Sequence, residues 1–133
     1  MSGRFPAIEH RGGQVVRRGV VQPITPAVIA TGRLVFVSGQ IPMIDGAPAA
    51  PDIEGQTHAA IDMIEAILAD CGCGLDRVVK TTVWLVHAED YEGFNRAYGE
   101  RFPHLPPARA TVVSALVPPV RVEIEAVAVL DEA

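Results

Sequence analysis

Pro106-Pro107-Ala108-Arg109-Ala110-Thr111-Val112-Val113-Ser114-Ala115-Leu116-Val117 is the stretch on which the reading of the fold depends. A proline pair fixes φ and forbids helix, so the residues that follow leave the turn extended. In a strand, Ala110, Val112 and Leu116 point one way and Val113, Ala115 and Val117 the other, so both faces are apolar apart from Thr111 and Ser114. A strand of this kind needs cover on both sides. Arg109 stands at its entrance, held still by the turn, where a planar guanidinium is suited to gripping a carboxylate through two parallel hydrogen bonds. On these residues alone, a strand-end arginine paired with a surface acid is the commoner reading.

Working outward, all eleven prolines lie outside Asp52 to Phe102, which leaves that stretch free for long regular elements. From Asp52 to Cys71, Ile61, Ile64, Leu68 and Cys71 recur at steps of three and four and Ala60 and Ile67 widen the stripe. The spacing predicts an amphipathic helix that stops at Gly72. Arg33 to Ser38 and Val78 to Val86 read as strands from their β-branched and aromatic content, with Asp45-Gly46 a turn in the loop from Gly39 to Pro51. Ala88 to Phe102 opens on Glu89 and Asp90, as a helix N-terminus favours, and places Tyr91, Phe94, Tyr98 and Phe102 on one face as core packing.

Two further strands, Arg109 to Val117 and Val120 to Leu130, are most simply an antiparallel hairpin turning at Pro118-Pro119. Residues 1–25, with Gly12-Gly13 and Gly19, form an irregular lead-in or short hairpin. The 133 residues thus describe one α+β domain, a mixed sheet with two helices on one face. The remaining apolar face is expected to be covered by self-association.

Composition narrows the function. A net charge of −5 gives no general attraction to nucleic acid or to an anionic membrane. Arg17-Arg18 is the only adjacent basic pair. Cys71 and Cys73 lack the spacing of a redox or zinc motif, and His10, His58, His87 and His104 show no ligand spacing, so no metal is expected. Met1 to Phe5 lacks the apolar core of a signal peptide, and no segment is long and apolar enough to span a bilayer; a soluble, cytoplasmic setting follows as the expectation. Glu123 and Glu125 project to one side of the last strand, amid Val127 and Val129. Each carboxylate there needs solvent or a cation, and both readings stay open on the residues alone.

Val35-Phe36-Val37-Ser38-Gly39-Gln40-Ile41-Pro42, Lys80-Thr81-Thr82-Val83-Trp84, Phe94-Asn95-Arg96-Ala97-Tyr98, Pro107-Ala108-Arg109 and Val122-Glu123-Ile124-Glu125-Ala126 occur in this order. Together they resemble the RidA/YjgF reactive intermediate deaminase family, whose members also carry the name L-PSP endoribonuclease. The resemblance covers roughly Thr25 to Leu130. It implies a chorismate-mutase-like fold, a homotrimer with sites in the clefts between subunits, and hydrolytic deamination of enamine and imine acids such as 2-aminoacrylate, without metal or organic cofactor.

By that resemblance Arg109 takes the substrate carboxylate and Glu123 positions the attacking water. The backbone near Ser38, Gly39 and Thr111 supplies further hydrogen bonds, and Asn95 lies beside the cleft, although an exposed helix-face asparagine fits its position equally. Thr111 stands where many members have cysteine. Many members also carry Gly-Pro-Tyr near Pro23-Ile24-Thr25-Pro26-Ala27, with the tyrosine closing over substrate; this segment has no aromatic residue, so the lid role is not transferred. A non-catalytic trimer binding a small carboxylate is the alternative, and a ribonuclease or translation inhibitor is disfavoured by charge.

The hairpin reading has one geometric consequence. With Val117 opposite Val120, Glu123 falls opposite Ser114, five residues from Arg109, or roughly 17 Å at 3.3 Å per residue. One small imine cannot touch both, so the two residues are expected to come from different subunits.

Overall fold

The computed structural model describes residues 7–130; Met1 to Phe5, read above for a signal peptide, lie outside the described residues. Helix α1 (Ile53–Asp70) forms where the apolar period predicts it. The Asp52 carboxylate caps its first turn by accepting from the Gly55 amide at 2.8 Å, and Ile61, Ile64 and Leu68 are buried along one face. Gly72 ends the helix at φ 91°, a left-handed conformation that favours glycine, and the Cys73 amide folds back onto the Leu68 carbonyl. Cys71 is exposed, Cys73 packs against the core, and no disulfide links them.

Ahead of α1 lie four short strands, β1 (Ile8–Arg11), β2 (Val15–Arg17), β3 (Val20–Gln22) and β4 (Ala27–Ala30). β2 and β3 form the short hairpin, turning at Arg18-Gly19 with both residues at positive φ as a two-residue turn of this twist requires, while β1 pairs with β4. β5 (Leu34–Gln40) follows, then a small ribbon of β6 (Met43–Ile44) and β7 (Ala47–Pro48) turning at Asp45-Gly46. After α1 come β8 (Val78–Leu85), a short turn of helix at Ala88–Asp90 leading into α2 (Tyr91–Arg101), β9 (Ala108–Val113) and β10 (Val122–Val129).

The main sheet has the order β5-β10-β8-β9, with β8 and β9 parallel and the other pairs antiparallel. It is the expected mixed α+β sheet, with α1 lying on β10 and β5 and α2 beside α1. The closing hairpin is absent. β9 and β10 do not pair; they flank β8 on opposite edges, and the strand after Arg109 ends at Val113, leaving Val117 fully exposed outside the sheet.

The physical reason lies in the segment from Ser114 to Arg121, which passes the end of β8 instead of reversing at the prolines. The Ser114 amide bonds the Leu85 carbonyl, and the Val86 amide bonds the Arg121 carbonyl. Arg121 then anchors the crossing: its own amide donates to the Gln56 side chain at 2.8 Å, and its guanidinium forks onto the buried Asp90 carboxylate, with Nε at 2.9 Å from Oδ2. Three backbone amides and a forked ion pair hold the chain where a hairpin would have left it turning back.

Alternation along the strands separates the two sheet faces. Val78, Thr81, Val83 and Leu85 of β8 and Val122, Ile124, Ala126 and Ala128 of β10 are buried under the helices. The opposite face carries Trp84, Thr82 and Lys80, Glu123, Glu125 and Val127, and the exposed Phe36 and Val112. That face is mixed, with apolar groups at its two edge strands. Among the described residues no helix is long and apolar enough to cross a membrane.

Candidate functional site

Arg109 sits on the helix-facing side of edge strand β9, in register with Thr81 of β8. Its guanidinium carbon lies 5.0 Å from the Tyr98 ring centre, 5.1 Å from that of Phe94 and 5.7 Å from that of Tyr91. Three aromatic faces around one cation supply attraction that substitutes in part for lost water. The aromatic row of α2 therefore does two things: Phe94, Tyr98 and Phe102 pack in the core as expected, and the same rings cradle the arginine. Tyr98 is held by a 2.7 Å bond to the Thr81 hydroxyl, and burial pushes its phenol well above the ordinary range.

Only one guanidinium nitrogen of Arg109 is engaged, donating to the Tyr91 hydroxyl at 3.0 Å. Its Nε and second terminal nitrogen are buried without a partner, as is the Thr111 hydroxyl two residues along the same face of β9. Burial pulls the Arg109 pKa below that of a free guanidinium, with the neighbouring tyrosines opposing the shift. Beside this cluster a cleft of about 290 Å³ is lined by Leu85, Ala88, Tyr91, Thr111, Val112 and Val113.

Asn95 belongs to the same neighbourhood through Gln22. The buried Gln22 carbonyl oxygen accepts from the Asn95 side chain at 2.9 Å and from the Tyr91 hydroxyl at 3.1 Å, while Asn95 Oδ1 is buried and unpartnered. The segment around Thr25, without the family tyrosine, docks on the proline turn that presents Arg109: the Thr25 hydroxyl donates to the Pro106 carbonyl and its amide to the Pro107 carbonyl. Tyr91, Gln22 and Arg17 escaped the sequence reading. The helical spacing had singled out Tyr91, but as core, and nothing local links residues 69 to 74 positions apart.

The other predicted residues assemble elsewhere. Between Val37 and Gln40 the β5–β10 register slips, so Ser38 and Gly39 form a bulge beside Glu125. Gly39 there lies directly under Glu123; a β-carbon added to it would come within 3.0 Å of the Glu123 carboxyl carbon. Ser38 is exposed, and its carbonyl accepts from the Gln40 side chain at 3.0 Å. Glu123 pairs with Trp84 on the open face of the sheet.

Arg109, Thr111 and Asn95 thus form one group, and Ser38, Gly39 and Glu123 another. Glu123 lies across β8 from Val112, three residues from Arg109. Two strand spacings and three residues separate the α-carbons by roughly 14 Å, and the side chains leave opposite faces. No hairpin register separates them, as the sequence had suggested; β8 lies between them instead. Among the described residues no three His, Cys, Asp or Glu side chains gather as metal ligands.

The sequence profile of the endoribonuclease L-PSP family matches residues 17–130. The chain belongs to this family, the RidA/YjgF proteins. Among its relatives, a RutC family protein of Pyrococcus abyssi is 41% identical over 112 residues, covering 80% of this chain and 88% of that protein. Protein DfrA of Myxococcus xanthus is 37% identical over 118 residues, with 82% and 86% covered. Of solved RidA/YjgF structures, a YjgF-family protein from Neisseria meningitidis superposes with a TM-score of 0.68 at 29% identity, covering 95% of this chain and 97% of that one. Yeast Mmf1 gives 0.70 at 28% identity, with 93% and 99% covered. The names within the group differ in kind, from RutC to regulator to endoribonuclease.

Proposed function

We propose that the protein deaminates reactive enamine and imine acids of the 2-aminoacrylate type, releasing 2-keto acid and ammonia, in clefts between the subunits of a homotrimer. The observation that carries this reading is the Arg109 guanidinium, buried against three rings with two nitrogens unpartnered beside an unpartnered Thr111 hydroxyl. A buried cation without an anion is costly, and a bound carboxylate removes the cost. Among the described residues Arg109 makes no ion pair.

The chemistry asks little of the protein. The imine carbon is already electrophilic; once the carboxylate is held, water adds to C=N, the nitrogen gains a proton, and the carbinolamine expels ammonia to leave the keto acid. Glu123 would orient the water and accept its proton, with Gly39 giving the carboxylate room. Since Glu123 and Arg109 face opposite sides of the sheet, this role requires a neighbour whose Glu123 meets this chain's Arg109 or the reverse. The exposed Phe36 and Val112 on the open face supply a reason to associate.

The same separation favours a second reading, a trimer that binds a small carboxylate without turnover. One experiment separates them. 2-Aminoacrylate is generated in situ by a dehydratase, and keto-acid release is followed with and without the protein. Acceleration supports the deaminase; binding of a stable carboxylate with no acceleration of any imine supports the binding module.

A further inference from the structure

Two guanidinium groups converge on one phenol. The Tyr91 hydroxyl accepts from Arg109 at 3.0 Å and from Arg17 at 3.2 Å. The two nitrogens are therefore at most two hydrogen-bond lengths apart, roughly 6 Å. Like charges this close oppose one another, and Arg17 adds to the forces that disfavour the charge on Arg109. Among the described residues neither arginine makes an ion pair.

Arg17 is not brought there by a loose tail. It is the last residue of β2, paired with Val20 across the tight Arg18-Gly19 turn, and Gln22 of β3 ties the hairpin to Tyr91 and Asn95 of α2. Tyr91 lines both the cleft beside Thr111 and the larger groove under the hairpin, and Arg17 lines that same groove.

We propose that Arg17 and Arg109 form a two-point anion site, and that the substrate carries two acid groups, as an imine derived from an acidic amino acid does. A monocarboxylate neutralises one of the two cations and leaves the other facing it; a short dicarboxylate neutralises both, each carboxylate taking one fork. The identification of the ligand as an imine rests on the deaminase reading, whereas the two-point anion site does not.

The test has a binding arm and a kinetic arm. By calorimetry, succinate is expected to bind at least tenfold tighter than butyrate, with Arg17→Gln removing that gap chiefly by weakening succinate. In the kinetic arm, an amino-acid oxidase supplies the imine of aspartate or of alanine. Arg17→Gln should then lower kcat/KM at least tenfold more for the dicarboxylic imine than for the other. Arg17 is exposed on its hairpin, and an unchanged Tm confirms that the variant is folded. Equal binding of succinate and butyrate, or a gap that persists in Arg17→Gln, overturns the proposal. So does an equal loss for both ligands, which would mean that the two arginines share one carboxylate. Turnover of neither imine with the succinate preference intact overturns the deaminase reading and leaves the anion site standing.

Discussion

Arg109 and Glu123 stand on opposite faces of one sheet, separated by the width of β8. If they serve one reaction, each cleft draws them from two chains. Mixing Arg109→Ala and Glu123→Gln chains through unfolding and reassembly should restore part of the lost activity, because some clefts then receive both wild-type residues. Mixed assemblies as inactive as either parent would place both functions in a single chain.

Arg109 is expected to lower the stability of the resting protein while serving its ligand. Replacing it with Met keeps contact with the three rings and removes a desolvated charge that has no counter-ion. Arg109→Met should be more stable by about 1–2 kcal/mol, at the low end of what replacing buried ionic groups gives. Carboxylate binding should be lost in the same variant. Calorimetric unfolding checks the first outcome and ligand titration the second; a lower Tm would mean that the rings hold the cation more strongly than its burial costs.

Gly39 is expected to answer to Glu123. An alanine methyl there collides with the carboxylate, a strain of about 1–3 kcal/mol if the side chain is displaced only in part. Gly39→Ala should lower turnover at least tenfold with little change in carboxylate affinity. Adding Glu123→Ala should recover the stability without the activity. A Gly39→Ala protein with wild-type Tm and wild-type turnover would show that the close approach is immaterial.

Phe36 should govern assembly. It is 74% exposed in the single chain and stands on the open face of an edge strand. Phe36→Glu is expected to shift the protein from the proposed trimer to monomer in light scattering at micromolar concentration, with its helical circular dichroism retained. A trimer that survives the change would put the subunit contact elsewhere.

Both helices were legible because their signals are local: Ile61, Ile64 and Leu68 repeat at helical spacing, and Asp52 and Gly72 mark the ends of α1. Strands β5 and β8 were legible for the same reason, through runs of branched residues. Pairing was not. The alternation of β10 shows which side chains are buried but not which edge of β8 it occupies, and Pro118-Pro119 suits a corner as well as a reversal. In the site, Arg109 and its rigid turn could be read directly. Its companions Tyr91, Gln22 and Arg17 could not, since they meet only after the hairpin and α2 have docked.

Arg121 gathers three parts of the molecule at one residue: the Gln56 side chain from α1, Asp90 at the head of α2, and the Val86 amide at the end of β8. Glu123 follows it by two positions on β10. None of these elements can open by itself without breaking a bond that closes on Arg121. The domain should accordingly unfold as one cooperative unit, and the Arg121 amide should exchange its hydrogen only when the whole molecule opens. A carboxylate so placed is set by the global stability of the fold and not by the mobility of a loop.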